Sequence, residues 1–353
     1  MIKQNNSYAT TRLARRKKMM GWSFLFMILS VMLLPLGGYV YTGFDVTANA
    51  AGDNFTNPRA NYWRAVRGGV AGTSTDKATE ANVLIQGSGE NWRNLRNGPI
   101  ATIGAYMLIV SLLTMFIYHM KTGGMTLDNG FSGKKVTRWE IFDRTMHWSV
   151  AIMFILLAIT GLSMLFGRAV LIPIFGPDGF AAFAGIAILV HNYIGPLFTV
   201  VLVMMILRWM KHNYIDANDI KWFKAGGGGI IGNEHVDCGR FNGGEKVWFW
   251  IVTGVGLTVA ITGLILDFPN FDQVRNTMQN ANLIHSTLSV IWIAVAFGHI
   301  YIGTLGSEGS LDGMLTGEVD ENWAKQHHNL WYDEVQNSTA DDSSVSNAES
   351  SPS

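Results

Sequence analysis

Apolar runs long enough to cross a bilayer alternate along this chain with polar connections. About twenty apolar residues span the roughly 30 Å hydrocarbon core of a membrane. Runs of that order occupy residues 22–41, 100–119, 147–166, about 180–209, 247–266 and 281–302. They predict six transmembrane helices, or five if the first run is removed. The basic stretch 1–20, the first apolar run and the triplet Ala48-Asn49-Ala50 have the order of a secretory signal. The run's own length fits a true span. Both readings place residue 50 outside the cytoplasm.

The expected architecture is an all-α integral membrane protein: a four-helix transmembrane core with an N-terminal extension carrying one or two more hydrophobic segments. Residues 1–50 hold the basic start and the signal or first span. Residues 51–98 form a polar extracytoplasmic segment with little regular structure, whose NYWRAVRGG and GENWRNLRNGP clusters read equally as a partner-docking surface or as an ordered surface loop. Residues 99–136 add a span and a cytoplasmic loop, and 137–305 form the core. Residues 306–353 make a cytoplasmic tail, disordered from about 338, where Ser, Asp, Asn and Ala follow without periodicity.

Lys and Arg set the orientation. Segments 1–20, 120–146 and 208–246 carry six, five and six of them, whereas the short loops 167–179 and 267–280 carry only Arg168 and Arg275. Both termini therefore fall on the cytoplasmic side. Composition agrees with a membrane protein: 48% hydrophobic and only 15% charged residues, against about 25% charged in soluble domains. A formal net charge of zero offers no field for nucleic acid. The single cysteine, Cys238, excludes an internal disulfide, a four-thiolate iron–sulfur cluster and a CxxCH haem attachment. Histidine is left as the multi-site metal ligand.

Nine histidines occur, and the topology sorts them. His285 and His299 share the last span, fourteen residues apart, which is about 21 Å of rise with only about 40° between their directions. His147 opens a span at the inner face, the depth of His299; His191 enters from outside, the depth of His285. Two imidazoles on opposing helices at one depth can ligate a haem iron from both faces, which suits electron transfer. A lone histidine in a span is commonly a packing residue, and a proton relay is the competing chemistry; a relay, however, needs intramembrane carboxylates, which these runs lack. Glycines 161, 195, 254, 256, 263 and 298 in or beside these helices leave room for a flat macrocycle, although small residues also serve ordinary helix packing. His119 and His212 at helix ends, His235 in a loop, and His327 and His328 in the tail read as surface or interfacial residues.

Seven ordered stretches then carry a resemblance: DRTMHWSV (143–150), LVHNYIGP (189–196), KHNYIDANDIKW (211–222), GNEHVDCGRFNGGEKVWFW (232–250), NLIHSTLS (282–289), GHIYIGTL (298–305) and WAKQHHNLWYDEV (323–335). Over about 137–335 the chain resembles the gamma subunit, a cytochrome b, of membrane-bound respiratory formate dehydrogenases. The resemblance implies two haem b groups, the outer held by His191 and His285 and the inner by His147 and His299. It implies an iron–sulfur beta subunit and a molybdenum- or tungsten-containing alpha subunit that oxidises formate outside the cytoplasm, this chain performing no formate chemistry itself. It places the chain in the bacterial inner membrane, passing electrons to menaquinone or another quinone at a site matching Asn242, Gly244 and His299. An Asn amide can hydrogen-bond a quinone carbonyl and a glycine admits the ring, while FNGG is also ordinary turn chemistry before a helix. Arg144, Arg208 and Lys246 are candidates for haem propionates. The competing readings are a di-haem cytochrome b of a hydrogenase or a thiosulfate or polysulfide reductase, and a haem-free membrane anchor or transporter.

Overall fold

A computed structural model of the chain describes residues 67–68, 87–231, 234–271 and 273–338. The run at 22–41, most of the polar segment 51–98 and the tail from 339, where the sequence predicts a signal or first span, an irregular loop and a disordered end, lie outside the described residues.

Helix begins earlier than the hydrophobic pattern predicts. α1 (Gly87–Leu95) passes through a π-helical turn at Arg96–Ile100 into α2 (Ala101–Thr122), so residues 87–98 are helical rather than irregular. Pro99 lacks the N–H an α ladder needs, and the wider turn absorbs it. The Trp92 indole N–H donates to Asn282 Oδ1 at 3.0 Å, which ties this polar start to the core. Gly123, with φ of 71°, ends α2 by donating its N–H to the His119 carbonyl.

The hydrogen-bonding pattern of α3 runs without a gap over Ile141–Trp209, a rod of about 100 Å if straight, far beyond any bilayer. It is in fact a hairpin. Gly176, with φ 72° and ψ 171°, occupies backbone space open essentially to glycine alone, and prolines 173 and 177 flank it. Asp143 meets Arg208 and Thr160 meets His191 across the two limbs, pairs that step inward toward Gly176. The expected outer loop at 167–179 thus shrinks to one broken residue.

After α4 (Ala217–Lys224), whose capping box is built by Asp216 and Asp219, come α5 (Gly243–Ile251), a π turn at Val252–Gly256 and α6 (Leu257–Asp267), together one rod. α7 (Arg275–Tyr301) follows, with a π turn at Ile302–Gly306. Helices long and apolar enough to cross a membrane cover Gly89–Thr122, Ile141–His212, Gly243–Asp267 and Arg275–Gly306. Because the second folds back, the described residues make five crossings.

Two apolar clusters hold the rods together. One joins Leu108 of α2, Phe166 of the first α3 limb and Phe297 of α7. The other joins Met153 and Leu202 of the two limbs, Phe249 and Val259 of the α5–α6 rod, and Trp292 of α7. α7 belongs to both. Between helices in lipid, close packing replaces the hydrophobic drive. Gly104 shows this: a Cβ there would lie 3.0 Å from Val290 Cγ1.

At the end of the bundle where α3 begins and α7 finishes, the polar tail folds into a cap. β1 (Lys135–Thr137) pairs antiparallel with β2 (Glu318–Asp320), which lies between α8 (Ser310–Thr316) and α9 (Glu321–His327). Leu127, Val319, Trp323 and Trp331 pack beneath. At its centre the Arg138 guanidinium, 4% exposed, lies over the Trp323 ring at 4.8 Å and donates to the Arg240 carbonyl and Glu245. Burial pulls its pKa down to about 10, which leaves it charged at neutral pH. His328, expected at the surface, is 1% exposed with Nδ1 against the Gly239 carbonyl. Burial keeps its pKa well below the ordinary value, so the ring stays neutral. The tail closes over this ring, a long-range event that local polarity does not report.

Gly176→Ala should cost about 1–3 kcal/mol through backbone strain, read as a lower thermal midpoint in detergent. Gly185→Ala, where a Cβ meets open space, should leave the midpoint unchanged. Equal effects of the two would refute the hairpin geometry.

Candidate functional site

α7 presents two histidines to two neighbours. The His191 and His285 ring centres lie 6.2 Å apart with planes at 77°; His147 and His299 are also 6.2 Å apart, at 59°. The structure therefore brings together the four site histidines in the two pairs the topology predicts. The spacing has chemical meaning. A ring-centre spacing of about 6 Å leaves room for one metal ion bound by a nitrogen of each ring at about 2 Å.

The outer pair is held by a repeated device. The pentapeptide AITGL occurs at 158–162 on the first limb of α3 and again at 260–264 on α6. Thr160 Oγ1 lies 2.8 Å from His191 Nδ1, and Thr262 Oγ1 lies 3.3 Å from His285 Nδ1. His285 Nδ1 also lies 3.0 Å from the Val259 carbonyl, three residues before its threonine, and His191 reaches the Leu157 carbonyl three before its own. A carbonyl only accepts, so the proton sits on Nδ1 and the Nε2 lone pair is left for a metal. The glycine that follows backs each ring. A Cβ at Gly161 would come 3.3 Å from His191 Cε1, and one at Gly263 would come 3.1 Å from His285 Cε1. Neither threonine was singled out by topology and charge; the signal that finds them is the internal repeat.

A cavity of about 290 Å³ surrounds this pair; its lining runs from Arg96 and Asn282, which lie toward the ends of their helices and so at its mouth, past Gly195 to the buried Trp292. At Gly195 a Cβ would meet nothing within 4 Å. Neutral imidazoles oriented by Nδ1, glycine-backed, in an apolar cleft fit a planar, largely hydrophobic macrocycle with two axial positions to fill.

The inner pair is oriented by aromatic stacking. Trp248 of α5 lies flat on His299, centres 4.7 Å apart at 12°, and Trp209 lies beside His147 at 6.5 Å and 29°. Trp209 donates its indole N–H to Asp143 Oδ1, which Arg208 also holds at 3.0 Å. His147 Nδ1 is buried with no hydrogen-bond partner among the described residues. A buried nitrogen of that kind calls for a bound group or an ordered water.

Asn242 and Gly244 lie at the start of α5. The Asn242 carbonyl oxygen accepts the Glu245 N–H at 3.0 Å and Glu245 returns a bond to the Asn242 N–H at 2.9 Å, a full capping box. A Cβ at Gly244 would come 2.7 Å from the Trp222 ring, so this glycine admits an indole. The link to the inner pair is α5 itself: Trp248 stands six residues beyond Asn242, about 9 Å along the axis.

The cations suggested for propionates are engaged elsewhere. Arg208 is paired with Asp143 and Glu140, Lys246 with Asp216 and Asp219, and Arg144 donates to the Leu315 carbonyl. Among the other histidines, His119 meets the Tyr301 hydroxyl, and His235 lies between Asp128 and His327. No group of three or more His, Cys, Asp or Glu that could hold a metal ion occurs among the described residues. Burial pushes the Cys238 thiol up to about 12, which removes thiolate chemistry at neutral pH.

The sequence profile of the prokaryotic cytochrome b561 family matches residues 138–317. The chain is 32% identical over 212 residues to the nitrate-inducible formate dehydrogenase cytochrome b556(Fdn) subunit of Escherichia coli K12, covering 59% of this chain and 94% of that protein. It is 31% identical over 207 residues to the formate dehydrogenase cytochrome b556(fdo) subunit of the same organism, covering 58% and 95%. It is 31% identical over 205 residues to the formate dehydrogenase cytochrome b556 subunit of Haemophilus influenzae, covering 57% and 83%. The chain belongs to the prokaryotic cytochrome b561 family, membrane proteins built for haem b, alongside the cytochrome b556 subunits of formate dehydrogenases.

Proposed function

We propose that this chain is the electron-carrying membrane subunit of a formate dehydrogenase complex, with His191 and His285 as axial ligands of an outer haem b and His147 and His299 as those of an inner one. The observation that carries this reading is the pairing of four histidines at 6.2 Å, twice, along one shared helix. Held by these residues, two haem b groups would supply one-electron carriers, the two histidine pairs being about 21 Å apart by helical rise. The imidazoles bind. Thr160 and Thr262 hold the Nδ1 protons, which leaves the Nε2 lone pairs of the outer rings for a metal, and Trp248 and Trp209 restrict the inner rings by stacking.

Orientation follows from the positive-inside distribution: the His147–His299 end and the cap are cytoplasmic, in the bacterial inner membrane, and the His191–His285 end faces outward. In this reading electrons would enter from an iron–sulfur beta subunit, supplied by a molybdenum- or tungsten-containing alpha subunit that oxidises formate, and would leave to menaquinone, which His299, Asn242 and Gly244 would hold. The cap box occupies the Asn242 oxygen and keeps the amide nitrogen as a donor of the kind a quinone carbonyl accepts. In the orientation proposed, the start of α5, with Glu245 in its first turn, would lie toward cytoplasmic water, from which quinone reduction would draw its protons. No relative named above is a hydrogenase or sulfur-compound reductase subunit, which leaves the formate dehydrogenase reading in front.

Redox difference spectra of the purified chain test the ligands. His191→Ala or His285→Ala should remove the outer haem and leave the inner; retention of both would overturn the pairing. Thr160→Val should lower outer haem affinity about 10- to 100-fold with the inner haem unchanged, and an equal loss at both would refute its role. Asn242→Ala should keep both haem spectra while slowing reoxidation by menaquinone about fivefold to tenfold, the worth of one hydrogen bond. Asn242→Ser, which keeps a capping oxygen, should show the same slowing. Normal reoxidation in both would remove Asn242 from the quinone site.

A further inference from the structure

The outer cavity has an ionic group at its mouth that does not come from the family core. Arg96 is the first residue of the π turn between α1 and α2, ahead of the matched region 138–317. Its side chain is half-buried and lines the cavity that holds His191 and His285. Nη2 donates to the Met164 carbonyl at 3.2 Å and Nη1 to Asn97 Oδ1 at 2.9 Å, both neutral acceptors. Among the described residues no carboxylate lies within ion-pair distance of it. Its charged neighbour is another cation, Arg168.

A half-buried guanidinium with no anion within ion-pair distance is costly. Arg208 and Lys246 meet that cost with carboxylates; Arg96 does not. The mouth also carries Asp267 and Asn282, so a carboxylate arriving there would face a like charge unless a cation stood beside it. The bond from Trp92 to Asn282 pins the added helix to α7 next to this mouth, and π turns of this kind are frequent at functional sites.

We infer that Arg96 is the carboxylate clamp of the outer haem, a positioning residue by which the N-terminal helix reaches a cofactor otherwise held by the core. The inference rests on the outer haem reading. Haem b is a hydrocarbon disc with two propionates on one edge, so its apolar body suits the cleft floor while its carboxylates stay at the mouth. Arg96 offers them planar, charge-assisted donors, and its charge favours the reduced iron.

The test uses the full chain, haem-loaded in detergent, with Arg96→Gln and Arg96→Lys. Arg96→Gln should lower the reduction equilibrium of the outer haem at least about tenfold, about 59 mV for a one-electron couple, with the inner haem unmoved; Arg96→Lys should recover most of the shift. In reconstitution, Arg96→Gln should weaken haem b about tenfold and leave the affinity for haem dimethyl ester as in the unsubstituted chain. An unchanged outer potential, or equal weakening of both compounds, overturns the clamp. Should Arg96→Gln fail to accumulate, Arg96→Met, which also removes the charge, gives the same comparison, and the unsubstituted chain should itself bind haem b about tenfold more tightly than the dimethyl ester, equal affinities overturning the clamp. If His191→Ala retains both haems, the ligand assignment fails; if it loses one and Arg96→Gln changes nothing, only the clamp fails.

Discussion

Hydrocarbon satisfies no polar group, so each imidazole inside a span of this protein needs a partner supplied by the protein or by what it binds. That constraint organises the bundle. α7 carries His285 and His299 about 21 Å apart on one side and lies in both apolar clusters. The second limb of α3 brings His191 to the upper ring and the first limb brings His147 to the lower one. The reversal at Gly176 is what lets a single stretch of chain contribute to both levels.

The levels are stabilised in different ways. Threonine and backbone oxygens fix the outer rings through Nδ1, which sets both tautomer and direction. At the inner level tryptophans take that role, and the Asp143–Arg208–Trp209 cluster locks one of them. Directed hydrogen bonds hold a ring in one orientation more tightly than stacking does, whose energy varies slowly with rotation.

The cap connects the inner level to water. Arg138 gathers the Trp323 ring, the Arg240 carbonyl and Glu245, and Glu245 closes the capping box of the helix that carries Trp248 to His299. Tail, loop and inner histidine are thereby parts of one packed unit, which is why a polar C-terminal segment is folded over residues 318–338 rather than trailing from the last span.

Sequence alone determined the place of the apolar spans among the described residues and the sorting of four histidines into two levels, because helical rise turns residue number directly into position along a span. The quoted motifs further determined the family resemblance. Only the tertiary structure decided that α1 is helical before its apolar run, that His328 is buried, that Gly244 faces Trp222, and that Arg96 stands at the mouth of the outer cleft. Each of these depends on what a distant segment packs against, which periodicity and composition do not carry. The last span is the clearest case: its two histidines were legible as a pair on one face, whereas the Thr-Gly supports behind the outer ring and the tryptophan against the inner one came from other helices, through rotations about their axes that packing alone sets.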